Sequence, residues 1–202
     1  MEEIGLFPLG IVLLPTEIVP LHVFEDRYKE LIGECLELGR EFGLVYADED
    51  GVRETGTRAR VAEVLERFED GRLNILVEGG ERFHVERLTR GRSFLTAEVE
   101  EVDDEWGETD AEAAKLLAEA FRALAAAAGA EPEEPAADSP RLSFEVAARV
   151  ELAPEAKQQL LELRSEPERR ERVRELLDGA REAILAARRL GEHAKNNGSR
   201  LS

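Results

Sequence analysis

The residues able to do chemistry are few in this chain, and their spacing does not favour it. There are three histidines and one cysteine. His22, His84 and His193 are scattered, and no two stand at the spacing of a metal-binding pair. A catalytic histidine also needs a partner that sets its charge and orientation. His22 has none nearby in sequence, lies in a short apolar segment, and reads as a structural hydrogen-bonding residue. Cys35 falls within a predicted apolar helix stripe, where a free thiol behaves as a small core side chain. As the single cysteine it excludes an internal disulfide framework. The acidic runs Asp48-Glu49-Asp50 and Glu100-Glu101-Val102-Asp103-Asp104-Glu105 lack the glycine and bidentate glutamate of a calcium loop, so they read as solvated turns.

Phosphate and peptide-bond chemistry fare no better. None of Lys29, Lys115, Lys157 and Lys195 is followed by Ser or Thr, and no G-x-x-x-x-G-K-[ST] run offers a backbone cradle for a triphosphate. The serines fall in turns, caps, a strand edge and the tail, without the adjacent base that activates a nucleophile. The expectation is a protein without catalytic residues, cofactor or metal. Molecular contact is the better use of its special residues. The turn Phe24-Glu25-Asp26-Arg27, entering a helix at Tyr28 and Lys29, sets mixed charges above an apolar floor, which suits weak recognition of varied peptides. The competing reading makes Asp26 the helix cap and Phe24 part of the core. Trp106, beside Gly107, either anchors a junction between two parts of the chain or is a contact residue.

Composition narrows the setting. The 202 residues suit one larger domain or two small ones. With 45 acidic and 27 basic residues the net charge is −18, which repels phosphate backbones and anionic lipid. The acidic start Met1-Glu2-Glu3 is unlike a signal peptide, and no apolar run approaches the roughly 20 residues that span a bilayer. A cytoplasmic protein is expected by elimination.

The elements that must position these residues change character midway. The first half is β with one helix. Ile4 to Leu6, Val12 to Leu14 and Pro20 to Phe24 are short apolar runs, the first two stopped by Pro8 and Pro15. Residues 26–38 switch to helical spacing, with Tyr28, Leu31, Ile32, Cys35 and Leu36 in one stripe, Asp26 as N-cap and Gly39 as terminator. Phe42 to Ala47 is a strand. Arg58 to Phe68 and Leu73 to Glu78 form a hairpin through Glu69-Asp70-Gly71. Gly79-Gly80 permits a bulge or tight turn before Arg82 to Leu88, and Phe94 to Val102 is the last arm. About seven short strands at this spacing point to a small barrel or folded-over sheet.

The second half is helical. Thr109 with Glu112 is a capping box, followed by the stripe Ala113, Leu116, Leu117, Ala120, Phe121 and Leu124. Residues 129–140 are too polar and proline-rich to pack and read as a mobile loop. Arg141 to Val150 is the next helix. Pro154 then opens another, to about Leu163. Ser165 with Glu168 caps the longest helix, whose stripe is Val173, Leu176, Leu177, Ala180, Ile184 and Ala187. The expected organisation is a β-rich part over 1–105, a helical part over 106–190 and a frayed tail over 191–202.

Several short motifs occur in a recognisable order. They are Phe7-Pro8-Leu9, Val12-Leu13-Leu14-Pro15, Pro20 to Tyr28, Glu41 to Val45, Gly56-Thr57-Arg58-Ala59, Asp70-Gly71-Arg72 with Glu78 to Phe83, and Ala156 to Glu162. Together they resemble the amino-terminal substrate-binding domain of the ATP-dependent Lon proteases. The resemblance implies an α+β fold: a PUA-like β pseudo-barrel with one inserted helix, followed by a small helical bundle. In that family the domain is associated with recognising protein substrates. A Lon protease would continue into an ATPase and a Ser-Lys protease module. The lack of either signature here makes the expectation a stand-alone, non-catalytic domain that recognises proteins or peptides. Such a domain would act as an adaptor or holdase for unfolded or tagged proteins, or with a separate protease or chaperone. The contact surface would be Phe24, Glu25, Asp26, Arg27, Tyr28 and Lys29. The PUA-like label also raises RNA binding, for which Arg82, Arg87, Arg90 and Arg92 are the local basic candidates. The charge of −18 disfavours nucleic acid, and an enzymatic function ranks last for want of a nucleophile–base pair.

Overall fold

The computed structural model describes residues 2–105 and 111–198, with side chains as far as residue 190. Its chain divides into two compact units, Met1–Glu105 with Ala147–Arg164, and Trp106–Val146 with Ser165–Ser202. The break drawn from the sequence near residue 105 therefore has a companion. Residues 147–164 return to the β-rich unit although their spacing is helical, because spacing sets the element type and not the surface it covers.

The β-rich unit holds six strands: β1 (Glu2–Leu9), β2 (Ile18–Val23), β3 (Phe42–Asp48), β4 (Gly51–Arg67), β5 (Leu73–Thr89) and β6 (Thr96–Glu101). The sheet order is β2-β5-β4-β3-β1-β6, and β5 also pairs β6, so five strands close into a ring with β2 appended. Two partner switches make the closure possible. Residues 2–5 of β1 pair antiparallel with β6, and residues 6–9 pair parallel with β3. The first half of β5 carries β2, and its second half carries β6. Closing a sheet removes edges that would otherwise pair with other chains.

Helix α1 (Asp26–Leu38) buries Tyr28, Leu31, Ile32 and Cys35, the stripe expected from spacing. They pack with Phe7, Phe42, Ile75 and Val77 in one core cluster, while Ile4, Leu6, Val45, Phe83, Ala97 and Val99 form a second. Gly39 ends α1 in the left-handed region at φ 62, as a C-terminal glycine should. Asp26, however, is not the N-cap. Glu25 holds that place with extended backbone and no side-chain cap bond, and Asp26 lies in the first turn, where its charge suits the helix dipole.

Other expectations are corrected. Pro8 does not stop β1; it sits opposite Val45 in the parallel ladder, where its missing donor is tolerated near the strand's end. Val12 to Leu14 is not a strand but a fully buried irregular segment. Of the two forms expected at Gly79-Gly80 the structure shows the bulge and not the turn: β5 continues through it, with three steps from Gly79 to Arg82 opposite two from Thr57 to Ala59 on β4. Gly79 is needed there because a Cβ would lie 2.1 Å from the Leu14 carbonyl oxygen. Two of the expected short arms are thus halves of one long strand, which leaves six strands and not seven.

Helix α4 (Pro154–Glu162) belongs to this unit and starts with proline in its first turn. The helical unit is built mainly on α2 (Ala111–Ala128), α3 (Leu142–Ala147) and α5 (Glu166–Gly198). Helix α2 buries Ala114, Leu117, Ala120, Phe121 and Leu124, so its stripe is turned slightly from the expected one, and Leu116 is exposed. Helix α3 is shorter than the span 141–150 read from spacing. The Ser165 hydroxyl accepts the Glu168 backbone N–H at 3.4 Å, one half of the expected capping box. Arg169 is fully buried and stacks over Phe144 at 4.0 Å, with the Glu166 carboxylate at 2.7 Å. Helix α5 runs to Gly198, beyond the end expected near residue 190. Thr109 and Trp106 lie outside the described residues, as does the His193 side chain.

Candidate functional site

The turn singled out from sequence is exposed at its tip. Phe24 is 60 % exposed, although the competing reading placed it in the core. Its ring stacks on His22 at 5.8 Å, and Phe68 meets the same imidazole edge-on at 6.1 Å. Arg72 lies 4.9 Å over the Phe68 ring, a cation–π contact. Lys29 pairs with Asp26 at 2.6 Å and donates to the Asp70 carbonyl at 3.3 Å, which ties the start of α1 to the β4–β5 hairpin tip. Glu25 and Arg27 pair at 2.7 Å. Tyr28 is different: it is buried and stacks on Phe7 at 4.1 Å, so it forms the floor. Its phenol is pushed up, first by burial, with Arg27 opposing and Glu25 adding to the shift.

The patch therefore includes His22, Phe68 and Arg72, which the sequence reading did not associate with Phe24. Hairpin pairing supplies them, since β2 lies on β5 with His22 opposite Asn74. His22 Nδ1 is 2.6 Å from Asn74 Oδ1, and Asn74 donates to Glu66 at 3.0 Å. This agrees with a structural role for His22. The patch has aromatic surface and charges of both signs but no nucleophile, and it suits contact with apolar side chains.

Three of the four arginines considered as an RNA patch are already engaged by acidic partners, while Arg90 is exposed. Arg82 is only 4 % exposed; it donates to the carbonyls of Leu161 at 2.8 Å and Leu163 at 2.7 Å and pairs with Asp104. Arg87 pairs with Glu98 at 2.5 Å, and Arg92 pairs with Glu34. The acidic turn at Asp48 is a local structure: its carboxylate accepts the Asp50 N–H at 2.9 Å and Arg53 at 2.6 Å. Among the described residues no three His, Cys, Asp or Glu side chains converge as metal ligands.

Another polar cluster joins two motifs far apart in sequence. Glu17 and Lys157, both nearly buried, pair across the unit, and Glu17 also accepts the Leu14 N–H at 2.9 Å. Thr16 adopts a positive φ of 69, unusual for a β-branched residue, and this backbone turn brings Glu17 back over Leu14. Gln158 donates to the Thr55 carbonyl at 3.2 Å, and Tyr46 to Glu155 at 3.2 Å. The Leu-Pro segment and the Lys-Gln helix thus form a clasp that pins α4 to the barrel.

Cys35 faces the core, and burial pushes its thiol up to about 11, with Glu34 adding to the shift and Arg40 opposing it. Because its native-state value exceeds the ordinary 9.0, the unfolded chain ionises first, and stability falls as pH rises from about 9 toward 11. Unfolding scans across that interval should show the loss, and Cys35→Ser should reduce it, leaving the part that the raised Tyr28 and Tyr46 phenols contribute. Native protein should also react far more slowly with a thiol reagent at neutral pH than unfolded protein does.

A closed, mostly antiparallel β ring with one inserted helix defines a small α+β domain, and the aromatic, charge-rimmed patch lies at the start of α1. The chain belongs to the family of the ATP-dependent protease La (LON) substrate-binding domain, whose model matches residues 3–179. It is 25 % identical to Lon protease 1 of Hydrogenovibrio crunogenus, over 92 % of this chain and 24 % of that protein. It is 28 % identical to the Lon protease of Methylocella silvestris, over 92 % of this chain and 25 % of that one. The chain spans about a quarter of the length of these curated relatives. The crystal structure of a Lon N-terminal domain protein from Xanthomonas campestris superposes with TM-score 0.67 at 26 % identity, covering 88 % of this chain and 98 % of that one. The N-terminal domain of Mycobacterium avium complex Lon protease shares the fold, with TM-score 0.67 at 24 % identity and coverage of 89 % and 98 %. No described helix is long and apolar enough to cross a membrane.

Proposed function

We propose that this chain recognises segments of non-native proteins through the patch around Phe24, as an adaptor or holdase in the cytoplasm, and performs no covalent chemistry. The observation that carries this reading is the exposed Phe24 ring stacked on His22 and rimmed by Glu25, Asp26, Arg27 and Lys29. An aromatic held above a rigid strand offers contact area at low entropic cost, and the surrounding charges keep it soluble and tolerant of varied partners. Membership of a substrate-binding family supports the same direction. The RNA alternative loses support because Arg82 is committed inside the fold. Phe24→Ser should weaken capture of an unfolded client about tenfold, within the range for losing an aromatic anchor, while leaving the unfolding midpoint nearly unchanged. Wild-type affinity in the Phe24→Ser protein would remove the patch from the account.

A further inference from the structure

A second feature lies at the other end of α1. A cleft of about 990 Å³ runs between the C-terminal half of α1 and the wall made by β1, β4 and the segment before β6. That volume is at the upper end of the roughly 300–1,000 Å³ of ordinary ligand sites, so several residues of an extended chain have room. Its apolar lining is the exposed Leu38 together with the edges of the core residues Ile4, Leu31 and Phe94. Four arginines, Arg40, Arg58, Arg60 and Arg92, face four glutamates, Glu2, Glu3, Glu34 and Glu41. The cleft is therefore neutral on a chain of charge −18, and an anionic segment meets less repulsion there than over the rest of the surface.

Arg58 gives the cleft its chemistry. Its side chain is 10 % exposed, and its terminal amino group meets the Glu2 carboxylate at 2.9 Å. Its Nε is buried with no hydrogen-bond partner. Glu2, by contrast, has a side chain 65 % exposed, at the first position of β1, where its backbone lies opposite Val99 of β6. A buried guanidinium that is incompletely satisfied and held by an exposed carboxylate is a receptor for carboxylate, with one supplied by the chain itself.

We propose that this cleft binds an extended acidic–apolar segment of a partner protein, whose glutamate or aspartate side chain replaces Glu2 on Arg58. The proposal rests on the reading that the chain binds protein segments, and it deepens that reading by naming an acidic sequence class. Glu2 then acts as a tethered competitor, and the Glu2-Glu3-Ile4-Gly5-Leu6 run, acid followed by apolar residues, is the pattern of a matching client.

The test uses fluorescence anisotropy with a short labelled peptide of alternating glutamate and leucine, and its counterpart with glutamine for glutamate. The full chain should bind the glutamate peptide about tenfold more tightly, the worth of one charge-assisted hydrogen bond. Glu2→Gln should tighten that binding about threefold by removing the internal competitor, and Arg58→Gln should erase the preference. Because Arg58→Gln removes a buried group and risks misfolding, Glu2→Gln is the decisive variant: a structural pair predicts no gain. Equal binding of the two peptides, or unchanged or weaker binding by Glu2→Gln, overturns the proposal. If a denatured client binds while the two peptides do not differ, only the acidic specificity fails. If neither client nor peptides bind, the recognition reading fails with it. If the peptides differ as expected but a denatured client is ignored, the cleft stands without the broader reading.

Discussion

Replacing Lys157 by methionine is expected to remove about 3–5 kcal/mol of stability, the cost of stranding a buried charge. Lys157 and Glu17 side chains are 13 % and 9 % exposed, so without the ammonium the Glu17 carboxylate has little water to turn to. Its remaining bond, from the Leu14 N–H, does not offset that burial. The loss is large against the roughly 5–15 kcal/mol by which domains are usually stable. It also has a defined location, because Lys157 is on α4 and Glu17 on the loop before β2. Urea unfolding of Lys157→Met and of the double variant Glu17→Leu/Lys157→Met measures it. The double variant should recover most of the loss, since well-packed apolar replacements of a buried pair are often neutral. A single-variant loss under about 1 kcal/mol would mean the pair behaves like an exposed one.

Arg82→Gln is the second large effect. The guanidinium satisfies the carbonyls of Leu161 and Leu163 at the end of α4 and the Asp104 carboxylate. Helix ends leave carbonyls without partners inside the helix, and cationic donors there also favour the dipole. Glutamine cannot reach three acceptors and brings no charge, so a loss of about 3 kcal/mol is expected from the stranded groups. Hydrogen exchange should show the amides of α4 opening faster than those of the β ring. The RNA reading predicts the reverse pattern: unchanged stability, with weaker binding in a low-salt gel shift. The two outcomes are distinguishable in one protein preparation.

Local rules made some of this architecture legible in the sequence. The α1 stripe follows from the spacing of Tyr28, Leu31, Ile32 and Cys35, and Gly39 stops it where a left-handed residue is needed. The β4–β5 hairpin follows from Asp70-Gly71 between alternating arms. What escaped depends on contacts distant in sequence. Val12 to Leu14 has strand-like composition but serves as a buried plug, with the Leu13 carbonyl accepting the Thr57 hydroxyl at 2.6 Å. Gly79 looks like a turn residue, yet it is small because the backbone of Leu14 passes over it. Arg82 looks like a surface cation until α4 covers it. The candidate patch was half legible: Phe24 and its charged neighbours are contiguous, whereas His22, Phe68 and Arg72 reach it only through strand pairing. The Arg58–Glu2 contact spans 56 residues and carries no local signal.

Family membership and the exposed Phe24 patch both support the proposal that this chain recognises other polypeptides, and one titration tests that most directly. A client protein is prepared in a permanently unfolded, chemically reduced form and in its native form, and each is titrated by calorimetry into this chain. The account predicts saturable binding of the unfolded form on the order of micromolar, as expected of an adaptable surface, and none of the native form. Heats at the level of dilution for both forms would contradict it.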